Sequence, residues 1–210
     1  VDSLQFYISY LKEGRYRMED VYGMTPFKVN IEKDKPQLYG KQIKIEAISA
    51  TTFQLSFTYS ESNKNGLISY VKDIDNFGEG AIFSTHISSD LEFEKVYNVG
   101  EKINTPFLNL SIDPLRKFVP GESYIIQFNN FDGTVSGYRG VRITSLADGA
   151  SILKLQLQGA NKNRIVDYLN ASVKVLEKDK RAQKIAYATN TKDYIDDLFN
   201  KESDSLKNLE

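Results

Sequence analysis

"ANKNRIVDYLNASVKVLEKDKRAQKIAYATNTKDYIDDLFNKESDSLKNLE", residues 160–210, contains neither glycine nor proline, the two residues that most often break a helix. Ile165, Leu169, Val173 and Leu176 recur at helical spacing and share one side. "EKDKRAQK", residues 177–184, is polar nearly all round, after which Ile185, Ala188, Ile195 and Phe199 resume an apolar side. Toward the end Ile195, Leu198, Phe199, Leu206 and Leu209 fall along one side, and no stop signal follows them. The pattern predicts a single helix over about 161–210, which at about 1.5 Å per residue would reach about 75 Å. Such a helix cannot lie against a small core along its whole length, so part of it is expected to project and to need partners. The missing stop, with Val1 where an initiator methionine would stand, predicts a soluble piece of a longer chain.

Working back from the helix, "SILKLQLQ" (151–158) alternates Leu153, Leu155 and Leu157 with Lys154, Gln156 and Gln158, as a strand with one buried face does. "GVRITS" (140–145) precedes it. Between residues 33 and 137, "QIKIEAI", "TTFQLSFTY", "GLISYV" and "SYIIQF" are strand-like, and "SNKNG", "NFGEG" and "NNFDG" punctuate them as turns. That texture predicts an antiparallel sandwich or barrel without a clear helix. At the other end, Leu4, Ile8 and Leu11 make a helical stripe that Asp2 or Ser3 would cap and Gly14 would end. "RYRMEDVY" reads as a short second helix or turn. Pro26 then forces an extended path, and Phe27, Val29 and Ile31 alternate as a strand. The fold class is α+β.

Composition narrows the function classes. Apolar residues at 40% and charged ones at 26% are ordinary for a globular protein. With 27 basic and 28 acidic residues the net charge is −1, and the basic excess that non-specific nucleic-acid binding requires is missing. Cysteine is absent, which removes disulfides, thiolate metal sites and nucleophilic thiols. No run of about 18 apolar residues occurs, so no segment reads as a membrane span.

Each candidate for chemistry has a plainer reading. His86 in "FSTHISS" is the sole histidine, in a β-like, serine-rich segment without a companion for acid–base work. "DIDNFGEGAIFS" places Asp73, Asp75 and Gly78 at the first, third and sixth positions of a calcium loop. Phe77 and Ser84, however, stand where an oxygen donor and a bidentate carboxylate belong, so it reads as a turn. Asp193, Asp196 and Asp197 read as a solvated helix face. Asn109 and Asn170 begin three-residue glycosylation sequons of the kind that arise by chance. Phe128, Phe131 and Tyr138 in "FNNFDGTVSGYRG" would suit a sugar-stacking loop, but core or hairpin packing explains them better. No catalytic, cofactor-binding or metal-ligating residue is assigned, and no cofactor is expected.

Two stretches carry a family resemblance. In "YLKEGRYRMEDVYGMTPFKV" (10–29), Asp20, Tyr22, Pro26, Phe27 and Val29 resemble an E-x-Y-x-x-x-P-F-x-V pattern, with Asp20 in the acidic place. That pattern follows the first membrane helix of Wzz/Wzc-like bacterial polysaccharide chain-length determinants. In "SILKLQLQGANKNRIVDYLNASVKVLEKDKRAQKIAYATNTKDYIDDLF" (151–199), Leu169, Asn170, Thr191, Tyr194, Ile195 and Leu198 match that family's strand-then-helix segment, with Tyr194 where Phe is common. The likeness covers about the first 30 and last 70 residues.

The resemblance implies a membrane-proximal α/β domain over 1–32 and 138–210, with the long helix from about 161, and an inserted all-β domain over 33–137. It implies a periplasmic portion of a bacterial inner-membrane protein, a polysaccharide co-polymerase that regulates chain length or export of capsular polysaccharide, exopolysaccharide or O-antigen without catalysis. Homo-oligomers and the polymerase or export machinery are the implied partners, with glycan a further one. Kinase-linked members add a cytoplasmic tyrosine-autokinase domain, which would lie outside this stretch. Ile195 and Phe199 are the expected oligomer contact. The rivals are a carbohydrate-binding or adhesion β module on a helical stalk, an efflux adaptor, which should show a helical hairpin, and an enzyme, which lacks a convincing nucleophile.

Overall fold

The computed structural model describes residues 1–60, 66–70, 82–83, 91–145 and 152–207. The elements are β1 (Ile8–Glu13), β2 (Met18–Asp20), β3 (Phe27–Ile31), β4 (Gln37–Leu38), β5 (Ile43–Ala47), β6 (Thr52–Tyr59), β7 (Leu67–Ile68) and β8 (Ile82–Phe83). They continue with β9 (Leu91–Asn98), β10 (Lys102–Asn104), β11 (Asn109–Pro114), β12 (Ser123–Phe128), α1 (Phe131–Gly137), β13 (Arg142–Ser145), β14 (Leu153–Gln156) and α2 (Lys162–Lys207). The chain divides into two compact units, Val1–Ile165 and Val166–Glu210.

The first unit is built on a six-stranded antiparallel sheet in the order β2-β1-β12-β5-β6-β9 and a three-stranded one in the order β10-β11-β3. The period-2 pattern decides which side chains go in. Phe53, Leu55, Phe57 and Tyr59 of β6, Ile43 and Ile45 of β5, and Tyr124, Ile126 and Phe128 of β12 are all buried. Phe27 and Val29 of β3 and Leu110 and Ile112 of β11 join them in one core. The Phe27 ring lies 5.6 Å from Tyr124 and 5.7 Å from Phe118, so the two sheets share an aromatic seam. Among the described residues β2 and β9 are the two edges of the larger sheet, and the arrangement is an open sandwich. A buried side-chain amide ties β11 of the smaller sheet to β4. Gln37 donates to the Asn109 carbonyl at 2.7 Å and accepts from the Asn109 N–H at 3.1 Å.

The structure corrects several expectations. Residues 2–14 are not a helix: a 3-10 turn covers Asp2–Leu4, and β1 follows. The Leu4/Ile8/Leu11 spacing is overridden because Phe6, Tyr7, Ile8 and Tyr10 are all buried, and β12 and β2 pair with both edges of β1. "RYRMEDVY" supplies the edge strand β2, and Gly14 is part of its hairpin turn. The Gly14 N–H donates to the Arg17 carbonyl at 3.0 Å, and a Cβ would stand 2.8 Å from that oxygen. "NNFDG" is not a simple turn: Asn130 caps α1 by accepting from the Gly133 N–H at 2.9 Å. β14 lacks the expected buried face: among the described residues it pairs only with β13, and Ile152 is 61% and Leu153 53% exposed.

The expected split of 1–32 from 33–137 also fails. β1 pairs with β12 and β3 with β11, so the first 32 residues supply strands to the β unit itself. Residues 138–165 belong to that same unit. The long helix is present as one element, Lys162–Lys207, of 46 residues or about 70 Å.

Candidate interaction site

Two features outside the sandwich core set candidate function: the first turn of α2 and the apolar arc further along it. Asn161 caps the helix, its side-chain oxygen accepting from the Arg164 N–H at 3.1 Å. Its amide also donates to the carbonyls of Asp20, at 2.9 Å, and Tyr22, at 3.2 Å. One short side chain thus starts the helix and fixes the segment after β2.

Arg164, 7% exposed, completes the cluster. Its Nε donates to the Asp20 carboxylate at 3.1 Å, and its two terminal nitrogens donate to the carbonyls of Phe6, at 3.0 Å, and Ile8, at 3.3 Å. The guanidinium lies 4.5 Å from the Tyr22 ring centre and 5.0 Å from that of Phe6. A planar, five-donor cation fits this place where lysine would not, because it stacks on rings and bonds in three directions together. Asp20 is oriented in turn by the Tyr22 N–H, which donates to it at 2.9 Å. Gly23 follows with φ +74°, and a Cβ there would meet the Asn163 amide at 3.1 Å. A left-handed glycine therefore lets the chain turn close under the helix start.

The family-resembling positions divide by environment. Phe27 is 1% exposed and Val29 fully buried, and Tyr10 holds the Val29 N–H, which donates to its hydroxyl at 3.1 Å. Burial raises the Tyr10 pKa above the ordinary tyrosine value. Pro26 is buried, its carbonyl accepting from the N–H groups of Leu115 and Arg116. Tyr22 is half-buried, edge-on to Phe6 at 5.3 Å. On α2, Leu169 is half-buried and Asn170 exposed. The Thr191 hydroxyl donates back to the Tyr187 carbonyl at 2.9 Å. Tyr187, Tyr194, Ile195, Leu198 and Phe199 are 77%, 64%, 57%, 43% and 73% exposed. From Val173 to residue 201 every side chain of the helix is exposed.

The other candidates sort plainly. His86 and the loop containing Asp73, Asp75, Phe77, Gly78 and Ser84 lie outside the described residues. Asp193, Asp196 and Asp197 are all exposed on α2. Asn109 is 2% exposed, with its amide donating to the Pro36 carbonyl at 2.9 Å, a position closed to glycosylation in the folded chain. Phe128 is fully buried, Phe131 packs 6.1 Å from Tyr7 and Tyr138 lies 5.0 Å from Phe6, so the three rings are packing residues. Sequence reading missed Asn161 and Arg164. The usable signal for Asn161 was a capping residue type at the head of the Ile165/Leu169 stripe, whereas nothing local marks Arg164.

No protein-family description matches the chain, and no curated protein matches it either.

Proposed function

We propose that this chain is the periplasmic part of a bacterial inner-membrane polysaccharide co-polymerase, which sets the length or export of a surface polysaccharide by assembling copies of itself. The observation that carries the reading is the arc of large apolar side chains on α2. Tyr187, Tyr194, Ile195 and Leu198 recur at helical spacing and are all well exposed. Exposed apolar residues scattered singly need no explanation, but an ordered arc on a 46-residue helix is suited to packing against another helix.

The resemblance of residues 10–29 and 151–199 to chain-length determinants supports the same reading. So does the cluster in which Asp20 and Tyr22 of the first stretch meet Asn161 and Arg164 of the second. On this proposal the chain acts by geometry: neighbouring copies pack through Ile195 and Phe199, and the assembly positions the polymerase or the growing glycan without breaking a bond. A cytoplasmic kinase domain elsewhere in the full protein is compatible with that role.

The test is the molar mass, by light scattering in detergent, of the chain carried between membrane helices. A complex of several protomers is expected, and I195S/F199S should reduce it to smaller species and alter the polysaccharide length distribution. A stable monomer would overturn the proposal. Tight binding of the soluble chain to free glycan, without assembly, would favour a carbohydrate-binding module instead.

A further inference from the structure

One end of the six-stranded sheet gathers three loops of unusual chemistry. The β1–β2 hairpin turns there, since Glu13 pairs with Met18. The loop entering β12 arrives beside it, because Lys12 Nζ lies 3.1 Å from Glu122. The β5–β6 turn is next, with the Gly121 N–H donating to the Ala47 carbonyl at 2.8 Å.

Each loop holds large apolar side chains out to solvent. Tyr16 is 86%, Ile48 47%, Leu115 65% and Val119 55% exposed. The β12 loop is pinned by Phe118, 3% exposed, which turns inward between Leu115 and Val119. Outward display of its neighbours is thus built into the loop.

Two of these loops also carry exposed cations: Arg15 and Arg17 at the hairpin tip, and Arg116 and Lys117 beside Leu115. Arg15 lies 5.1 Å from the centre of the Tyr16 ring, and Arg116 donates to the Met24 carbonyl. The carboxylates of this end stand further in. Glu13 and Glu19 flank the hairpin base, and Glu122 is held by Lys12 and by the Tyr124 hydroxyl. An open groove of about 440 Å³ runs between Thr51, Val99, Pro114, Leu115, Arg116 and Lys117.

We propose that this loop end docks on an anionic lipid bilayer. The apolar tips stand on three separate loops, and of Tyr16, Ile48, Leu115 and Val119 only Leu115 lines the open groove, which suits a fluid surface better than a peptide of fixed shape. Aliphatic tips entering the acyl boundary, a tyrosine at headgroup level and arginines on phosphates form the combination that interfacial binding uses. The inference takes its setting from the membrane-anchored reading above, but its test does not involve α2.

The test is co-sedimentation of the 210-residue chain with vesicles of phosphatidylcholine alone, or with about a third phosphatidylglycerol. Binding to the anionic vesicles is expected, weakening as salt rises. R116Q/K117Q should lower partitioning roughly thirtyfold, the loss of two interfacial cations. L115S/V119S and, on a separate loop, Y16S should each lower it as well; all these positions are exposed, and circular dichroism checks that the variants fold. I195S/F199S should leave vesicle binding unchanged, so failure of the assembly proposal and failure of this one are told apart. No binding, equal binding to neutral vesicles, undiminished binding by the loop variants, or binding to an acidic polypeptide without binding to vesicles would each overturn it.

Discussion

Phe27 and Phe199 are the same residue in opposite circumstances. Phe27 is 1% exposed, with Tyr10, Phe118 and Tyr124 around its ring, whereas Phe199 is 73% exposed on α2. The contrast extends to the regions that hold them. Among the described residues of 1–165 most large apolar side chains find partners within the chain, and along α2 every side chain from residue 173 to 201 is exposed. A β sandwich buries its alternate residues against its own second sheet, but a single long helix has no second layer to supply. Apolar periodicity thus means core in one region and an unfilled interface in the other.

The largest test of that contrast is a pair of truncations followed by urea unfolding, read by tyrosine fluorescence. Phe27→Ala removes a ring from a closed cluster and should cost about 4 kcal/mol, the usual range for a buried aromatic. Phe199→Ala should change the unfolding free energy of the soluble chain by no more than about 0.5 kcal/mol. Equal losses would mean that α2 is buried within the chain after all, and the contrast would collapse.

The junction between the two regimes should rank next. Arg164→Ala leaves the Asp20 carboxylate without its guanidinium and strips the Phe6 and Ile8 carbonyls of their donor, at a cost of about 3 kcal/mol. Arg164→Lys keeps the charge but loses the stacking on Tyr22 and the threefold bonding, and should recover only part of the loss. Full recovery by lysine, measured in the same unfolding experiment, would show that charge alone matters here.

How far these features were legible in the sequence follows from the range of the forces involved. β3, β5, β6 and β12 announce themselves by alternation, and α2 by fifty residues without glycine or proline, because both signals are local. β1 does not, since Leu4, Ile8 and Leu11 also fit a helix. The decision comes from β12, more than a hundred residues away, which pairs Ile8 with Phe128. Arg164 was illegible for the same reason: its partners are in residues 6–8 and 20–22, and on a helix read by itself an arginine is expected to face water. The exposed arc was legible as periodicity, but periodicity carries no mark saying whether a core or another molecule covers it.

The smallest effect lies at the loop end of the sheet and separates a surface network from both the core and the helix. Glu122 accepts from the Tyr124 hydroxyl at 2.9 Å and pairs with Lys12 at 3.1 Å. These two partners, the hydroxyl first, hold its pKa below the ordinary carboxylate value of 4.5. A depressed carboxylate stabilises the fold above its unfolded value, and that contribution is lost as pH falls through the folded value. Tyr124 is shifted the other way, up to about 12, by burial first and then by the carboxylate it donates to. Its contribution is complete below the ordinary value of 10 and is lost as pH rises through 12. Glu122→Gln should therefore cost about 0.5 kcal/mol near neutrality, the size of a half-exposed pair. That deficit should shrink below pH 4.5 as the wild-type carboxyl takes up its proton. Tyr124→Phe should reduce the alkaline loss that wild type shows between pH 10 and 12, leaving the share of the other raised tyrosines, Tyr10 and Tyr97 among them. A deficit for Glu122→Gln that is constant from neutrality to strongly acidic pH would mean that the side chain acts by packing, and the loop end would then belong with the core.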